Sequence, residues 1–218
     1  MKNKLFPTLI VDDFLEDPFS TIEYAKTLEF NYPEPTIYPG TRTKCLSLLN
    51  NDLYLKTCNN ILKCYLQGVP FNYTAECYFQ KIDRNYQEGW IHRDKSILTS
   101  IIYLSQDATS ESGTSLYKAK KEWYRPGYND EKIFMFNRAI KDPKFEVSEE
   151  EKKLINNSNS LFEETINIKN MFNRLISFEG GIWHRANSLK NENPRLTLII
   201  FFLEIFVGKN QYPLLFHR

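Results

Sequence analysis

Histidine is scarce in this chain: there are three in 218 residues. Any site built on imidazole can therefore draw only on His92, His184 and His217. Charge of one sign is lacking as well. The 28 basic and 27 acidic side chains leave a net charge of +1, which offers no global field to nucleic acid or an anionic membrane. The four cysteines, Cys45, Cys58, Cys64 and Cys77, form no Cys-x-x-Cys pair. That excludes a zinc ribbon or a thioredoxin-like motif and leaves reduced, mostly buried thiols as the expectation. No apolar run reaches transmembrane length; the longest, Leu196 to Leu203, is strand-sized. The opening, Met1 to Val11, contains Pro7 and meets Asp12-Asp13 at once, unlike a secretory signal. These absences lead to the expectation of a soluble, cytoplasmic protein without membrane or nucleic-acid partner. A small molecule or a protein is left as the expected partner, and the oligomeric state stays open.

What is present reads as one domain over residues 1–218, since 42% hydrophobic residues at this length can bury a single substantial core. Asp17-Pro18 is a helix start, and Phe19, Ile22, Ala25 and Leu28 recur at helical spacing, predicting a helix to about Glu29. Asn31 to Thr43 holds Pro33, Pro35, Pro39 and Gly40 and can be neither helix nor central strand. Asn51 is placed to cap a second helix with Leu53, Thr57, Ile61 and Tyr65 on one side, ending before Gly68.

From Phe71 the period becomes two, and the rest of the chain is strand-like. Strands are predicted at Phe71 to Gln80, Leu98 to Ser105, Thr114 to Lys120, Thr165 to Ile168, Arg174 to Phe178, Ile182 to His184 and Arg195 to Phe206, with Trp90 to Asp94 also extended. Residues 1–70 are thus N-terminal helices and loop, 71–206 the core, and 207–218 a tail. An insertion at 123–170 is too long for an ordinary connection and reads as a functional lobe. Within it Ser148 and Glu151 fit a capping box, predicting a helix to about Ile155. Helices followed by many short strands point to a mainly β fold with flanking helices, a double-stranded β-helix or jelly roll of cupin type.

In an extended stretch His92 and Asp94 project to one side, presenting an imidazole and a carboxylate together. A jelly roll gathers distant strands at its mouth, where His184 can complete a two-histidine, one-carboxylate triad. Such a triad suits Fe(II) with open positions for a cosubstrate and O2; zinc in the same ligands would instead suggest hydrolysis. Arg195 favours iron, because a guanidinium turned into a barrel must meet an anion such as the far carboxylate of a chelating dicarboxylate. Thr197 shares the face of Arg195, and Tyr103, on the face of Thr99 and Ile101, can add a hydroxyl. The competing readings are a surface His92/Asp94 pair, a core His184 or Tyr103, and an Arg195 paired with Glu204 or Glu179. Lys118, Lys120, Lys121 and Arg125 around Trp123 and Tyr124 are read as a solvated strand end rather than a nucleic-acid contact.

Taken in order, Trp90-Ile-His-Arg-Asp94, Leu98 to Leu104, Ser112-Gly-Thr-Ser-Leu-Tyr117, Asn173 to Phe178, Trp183-His-Arg185 and Pro194-Arg-Leu-Thr197 resemble the 2-oxoglutarate and Fe(II)-dependent oxygenases, nearest the prolyl-hydroxylase-like branch. Val11 to Leu15 and Tyr38 to Arg42 also look like the N-terminal part of uncharacterised members. The resemblance implies that His92, Asp94 and His184 bind iron and that Arg195 and Tyr103 hold the distal carboxylate of 2-oxoglutarate. It implies hydroxylation of a substrate with release of succinate and CO2. Asp94, where a halogenase needs the position free for chloride, argues against halogenation. Ser112-Gly113 replaces the Gly-Gly of many members. The rival from another class is a non-catalytic jelly-roll binding or structural module.

Overall fold

The computed structural model describes residues 6–31, 38–82, 90–120, 148–187 and 194–208. Their elements run β1 (Leu9–Val11), α1 (Pro18–Lys26), β2 (Thr41–Arg42), α2 (Leu46–Leu49), α3 (Asn51–Tyr65), β3 (Phe71–Ile82), β4 (Leu98–Tyr103), β5 (Thr114–Ala119), α4 (Glu149–Asn159), β6 (Phe162–Ile168), β7 (Leu175–Glu179), β8 (Trp183–Ala186) and β9 (Arg195–Val207). Six strands form one sheet in the order β1-β7-β4-β9-β3-β2, and three form a second, β6-β5-β8; every pairing is antiparallel. Two facing antiparallel sheets with helices on the outer side of one are the expected jelly roll.

The large sheet is buried on both faces, which explains why β9 reads as a continuous apolar run rather than an alternating one. Leu198, Ile200 and Phe202 face the helices, joining Cys77, Phe79, Ile102 and Leu175 against Ala25, Ile61, Leu62 and Tyr65. Ile199 faces the other way, into a second cluster with Ile101, Tyr103, Ile176 and Phe178 that meets Leu116 and Ile168 of the small sheet. The site lies on this interior face.

Helix α1 starts as predicted, with the Asp17 carboxylate accepting from the Ser20 amide at 2.9 Å, but ends at Lys26, where the Thr27 hydroxyl folds back to the Tyr24 carbonyl. The cap of α3 is Asn50, not Asn51: its side chain accepts from the Leu53 amide at 3.0 Å. The short α2 and β1 carry too few residues to show a period, and no signal announced them. Helix α4 runs on to Asn159, and β6 begins at Phe162, so the described end of the expected insertion is mostly ordinary secondary structure. The predicted turn at Asp83 to Gly89, the 121–147 part of the insertion with Lys121, Trp123, Tyr124 and Arg125, and the tail with His217 lie outside the described residues. Among those described, no helix is long and apolar enough to cross a membrane.

All four cysteines are free; Cys58 and Cys77 are buried and Cys45 and Cys64 half-buried. Burial pushes the Cys58 thiol up to about 12, so it is an inert packing group.

Candidate metal centre

The expected strand at Trp90 to Asp94 is a correction. These residues form no ladder and meet β8 at one point, where His92 and His184 exchange both backbone hydrogen bonds, at 3.0 and 2.9 Å. Beyond it the chain must cross from the small sheet to β4 of the large one, and the Asp94 amide turns to the Gly180 carbonyl at 2.8 Å. A single hydrogen-bonded antiparallel pair is enough to set two imidazoles side by side. The ring centroids are 4.4 Å apart. Asp94 completes the group: Oδ2 lies 3.3 Å from His184 Nε2 and Oδ1 3.8 Å from His92 Nε2. One ligand atom from each residue falls within 4.8 Å of the others. Three residues separated by up to 92 positions thus converge, as their chemistry predicted.

Both histidine rings are fixed by backbone carbonyls. His92 Nδ1 lies 2.9 Å from the Trp90 carbonyl and His184 Nδ1 2.8 Å from the Ile182 carbonyl. A carbonyl can only accept, so each Nδ1 carries a hydrogen, and each Nε2, the position left for a proton or a metal, is turned toward Asp94. Phe178, fully buried, meets the His184 ring edge to face at 4.7 Å, closing one side to water. His184 is buried, while His92 keeps 44% of its side chain exposed and marks the open mouth.

Burial alone would push the Asp94 carboxyl up. The His184 charge and hydrogen bond, the His92 charge and the Thr99 hydroxyl outweigh that and hold it well below the usual carboxylate range. Burial likewise pulls His184 down, and the charge of Asp94 with its hydrogen bond raises it above the ordinary imidazole value. Thr99 was not foreseen as a site residue. Its Oγ1 donates to Asp94 Oδ2 at 2.6 Å and lies 2.8 Å from Ser96 Oγ. The alternation of Thr99, Ile101 and Tyr103 on β4 is the signal that could have found it.

Arg195, Tyr103 and Thr197 sit together on the interior face, with Tyr103 directly opposite Thr197 across the β4/β9 ladder. All three are buried. Arg195 does not reach the rim: it donates to the carbonyls of Ser112 at 2.8 Å and Gly113 at 3.3 Å, and its guanidinium carbon lies 5.8 Å from the Tyr103 ring centre. The acids weighed as its partners are engaged elsewhere, Glu179 accepting from the Phe6 amide and Glu204 from the Thr74 hydroxyl. The Tyr103 hydroxyl donates to Thr114 Oγ1 at 2.8 Å. Thr197 Oγ1 is buried without any hydrogen-bond partner. Orphaned buried hydroxyls are rare, and one beside a buried cation marks a place where an anion fits. The Arg93 guanidinium lies over the Trp183 ring at 4.1 Å. Lys118 pairs with Glu163 at 3.1 Å, and Lys120 donates to the Ser160 carbonyl.

A model for a family described as a family of unknown function, DUF6445, matches residues 1–202. No curated protein matches in sequence. Solved structures do match in fold. HygX from Streptomyces hygroscopicus, solved with nickel and 2-oxoglutarate bound, is 11% identical with a TM-score of 0.55, over 89% of this chain and 82% of that one. The epimerase SnoN, in complex with Fe3+, alpha-ketoglutarate and nogalamycin RO, is 13% identical with a TM-score of 0.55, over 90% and 78%. AviO1 from Streptomyces viridochromogenes Tue57 is 10% identical with a TM-score of 0.54, over 96% and 93%. The likeness is one of fold, the jelly roll of 2-oxoglutarate- and iron-dependent oxygenases.

Proposed function

The chain belongs to DUF6445, which brings a fold and no assigned chemistry, and we propose that it is a 2-oxoglutarate-dependent, non-haem Fe(II) dioxygenase that hydroxylates a substrate with release of succinate and CO2. The observation that carries this reading is the convergence of His92, Asp94 and His184 within 4.8 Å, with both imidazoles held as Nδ1–H tautomers. HygX, with nickel and 2-oxoglutarate bound, and SnoN, with Fe3+ and alpha-ketoglutarate, support it by likeness of fold.

In this reading His92 Nε2, an Asp94 oxygen and His184 Nε2 would hold Fe(II). Arg195, Tyr103 and Thr197 hold the distal carboxylate of 2-oxoglutarate. Iron and 2-oxoglutarate, when bound, supply the activation of O2 and the oxidative decarboxylation that drives hydroxylation.

The protein's own part is orientation and exclusion. The carbonyls of Trp90 and Ile182 fix the rings, the Thr99 hydroxyl fixes the carboxylate, and Phe178 keeps water from His184. The Ser112 and Gly113 carbonyls fix the Arg195 guanidinium before any ligand arrives, so little side-chain entropy is lost on binding. Asp94 stays anionic throughout the neutral range, as a metal ligand must.

Anaerobic addition of Fe(II) and 2-oxoglutarate should give the visible charge-transfer band of the chelate. Folded protein that develops no band overturns the reading. A substrate screen then follows succinate formation above the uncoupled background.

A further inference from the structure

The interior face carries a second cation, half-buried, that the reading above does not use. β2 pairs with the edge of β3, with Arg42 opposite Gln80 and Thr41 opposite Lys81. Gly40, at φ +69°, makes this possible, since a Cβ there would overlap the Lys81 carbonyl. On its other side Arg42 exchanges backbone hydrogen bonds with Asn31 at 2.9 and 3.0 Å. Gln80 in turn pairs with Thr197, and Thr197 with Tyr103, so the register puts the Arg42 side chain on the interior face.

Its guanidinium lies on the Tyr38 ring at 3.6 Å, with Phe201 at 5.2 Å and Tyr78 at 5.7 Å. These rings hold the group in place through its π face and leave its in-plane N–H directions for a ligand. Among the described residues the side chain makes no hydrogen bond and no ion pair, and Nε is buried without a partner. This is unlike Arg174, which is bidentate to Asp12, and unlike Arg195, which donates to two carbonyls. Burial pulls Arg42 down to about 10, against the opposing fields of Tyr38, Asp94, Tyr78 and Glu76, which leaves it a cation at neutral pH. A charged group whose Nε is buried without an acceptor is costly unless a ligand supplies one.

Its position says which ligand. Phe201 lies directly across the ladder from Thr99, whose hydroxyl bonds Asp94. The Arg42 backbone is thus level with Thr197 and Tyr103, but its guanidinium reaches along the strands to Phe201, toward the row of Thr99 and the triad. 2-Oxoglutarate has two carboxylates, one for the metal and one for Arg195, and neither remains for Arg42. We propose that Arg42, set among Tyr38, Tyr78 and Phe201, binds an oxyanion of a small-molecule substrate, a carboxylate or a phosphate, and holds that substrate beside His92, Asp94 and His184. This assignment rests on the oxygenase reading for the identity of its ligand as substrate, while the anion contact itself stands on geometry alone.

The test uses the full chain with 15N-labelled arginine, in which the Arg42 Nε–H signal is assigned by its loss in Arg42→Gln. Inorganic phosphate, N-acetylglycine and its neutral counterpart N-acetylglycinamide are titrated into metal-free protein and into protein saturated with Ni(II) and 2-oxoglutarate. We expect the signal to shift saturably with phosphate or N-acetylglycine, whichever class the site takes, and not with the amide. In Arg42→Gln the affinity for that probe falls roughly tenfold or more, the loss of a charge-assisted hydrogen bond, and Arg42→Lys restores part of it. Affinity for 2-oxoglutarate stays within about twofold in both variants. No saturable shift with either anion, an equal shift with the amide, or unchanged probe affinity in a folded Arg42→Gln overturns the proposal. So does a tenfold loss of 2-oxoglutarate affinity, which would make Arg42 a cosubstrate residue. If wild-type protein binds the anion but never 2-oxoglutarate, the oxygenase reading fails and the anion site stands.

Discussion

Replacing Thr99 with valine removes one hydroxyl and almost no volume, which makes it a sharp probe of the metal centre. Thr99 is 1% exposed, and its Oγ1 is 2.6 Å from Asp94 Oδ2 and 2.8 Å from Ser96 Oγ. An ionised carboxylate can only accept, so the single proton of Thr99 goes to Asp94 and Ser96 must donate to Thr99. The chain of donors runs one way and ends on Asp94. Valine strands Asp94 Oδ2 without its donor and the Ser96 hydroxyl without its acceptor. A hydrogen bond to a charged group contributes about 1.5 to 3 kcal/mol. That corresponds to a loss of metal affinity of roughly tenfold to a hundredfold, the range usual for residues that orient ligands. Anaerobic titration with Fe(II), or with Co(II) followed by its visible spectrum, measures this directly. Thr99→Ser keeps the donor and should stay within a few-fold of wild type. If folded Thr99→Val binds metal as tightly as wild type, Asp94 is not positioned by this contact, or not a ligand at all.

Arg195→Met should leave metal affinity unchanged and weaken 2-oxoglutarate by about two orders of magnitude, the cost of removing one partner of a buried charge pair; calorimetry on metal-loaded protein reads both. Gly113→Ala should loosen the same ligand and lower the melting temperature, because a Cβ there would overlap the Ile168 carbonyl and shift a carbonyl that Arg195 uses. Metal uptake should strengthen as pH rises. Asp94 holds the His184 proton above the ordinary value of 6.5, so that pair stabilises the metal-free protein below 6.5 and ceases to do so as pH climbs through the raised value. A metal must displace that proton, so binding at a pH below the raised His184 value should release more protons than binding at a pH above it. Calorimetry in buffers of different ionisation enthalpy measures the difference, and equal release at both pH values would contradict it.

Much of this protein was legible in its sequence because the signals are local or periodic. The switch to a period of two at Phe71, the Asp17-Pro18 start and the scarcity of histidine follow from side-chain direction, capping chemistry and counting. Together they marked out a β-rich core and left His92, Asp94 and His184 as the candidate ligands. Sequence also put Arg195, Thr197 and Ile199 on one face, because alternate residues of a strand must share one.

Only the tertiary structure decided what depends on pairing across the chain. The extended stretch expected at Trp90 to Asp94 is one bridge to His184, because the chain must leave the small sheet to begin β4. The Thr99 contact with Asp94 and the turn of Arg195 toward the Ser112 and Gly113 carbonyls are set by register and by loop closure. Arg42 shows the difference most plainly. In sequence it is a cation at the end of a proline-rich loop, without a period to give it a side. Pairing with Gln80 at the sheet edge turns it inward over three aromatic rings, beside the three residues that histidine scarcity had already singled out.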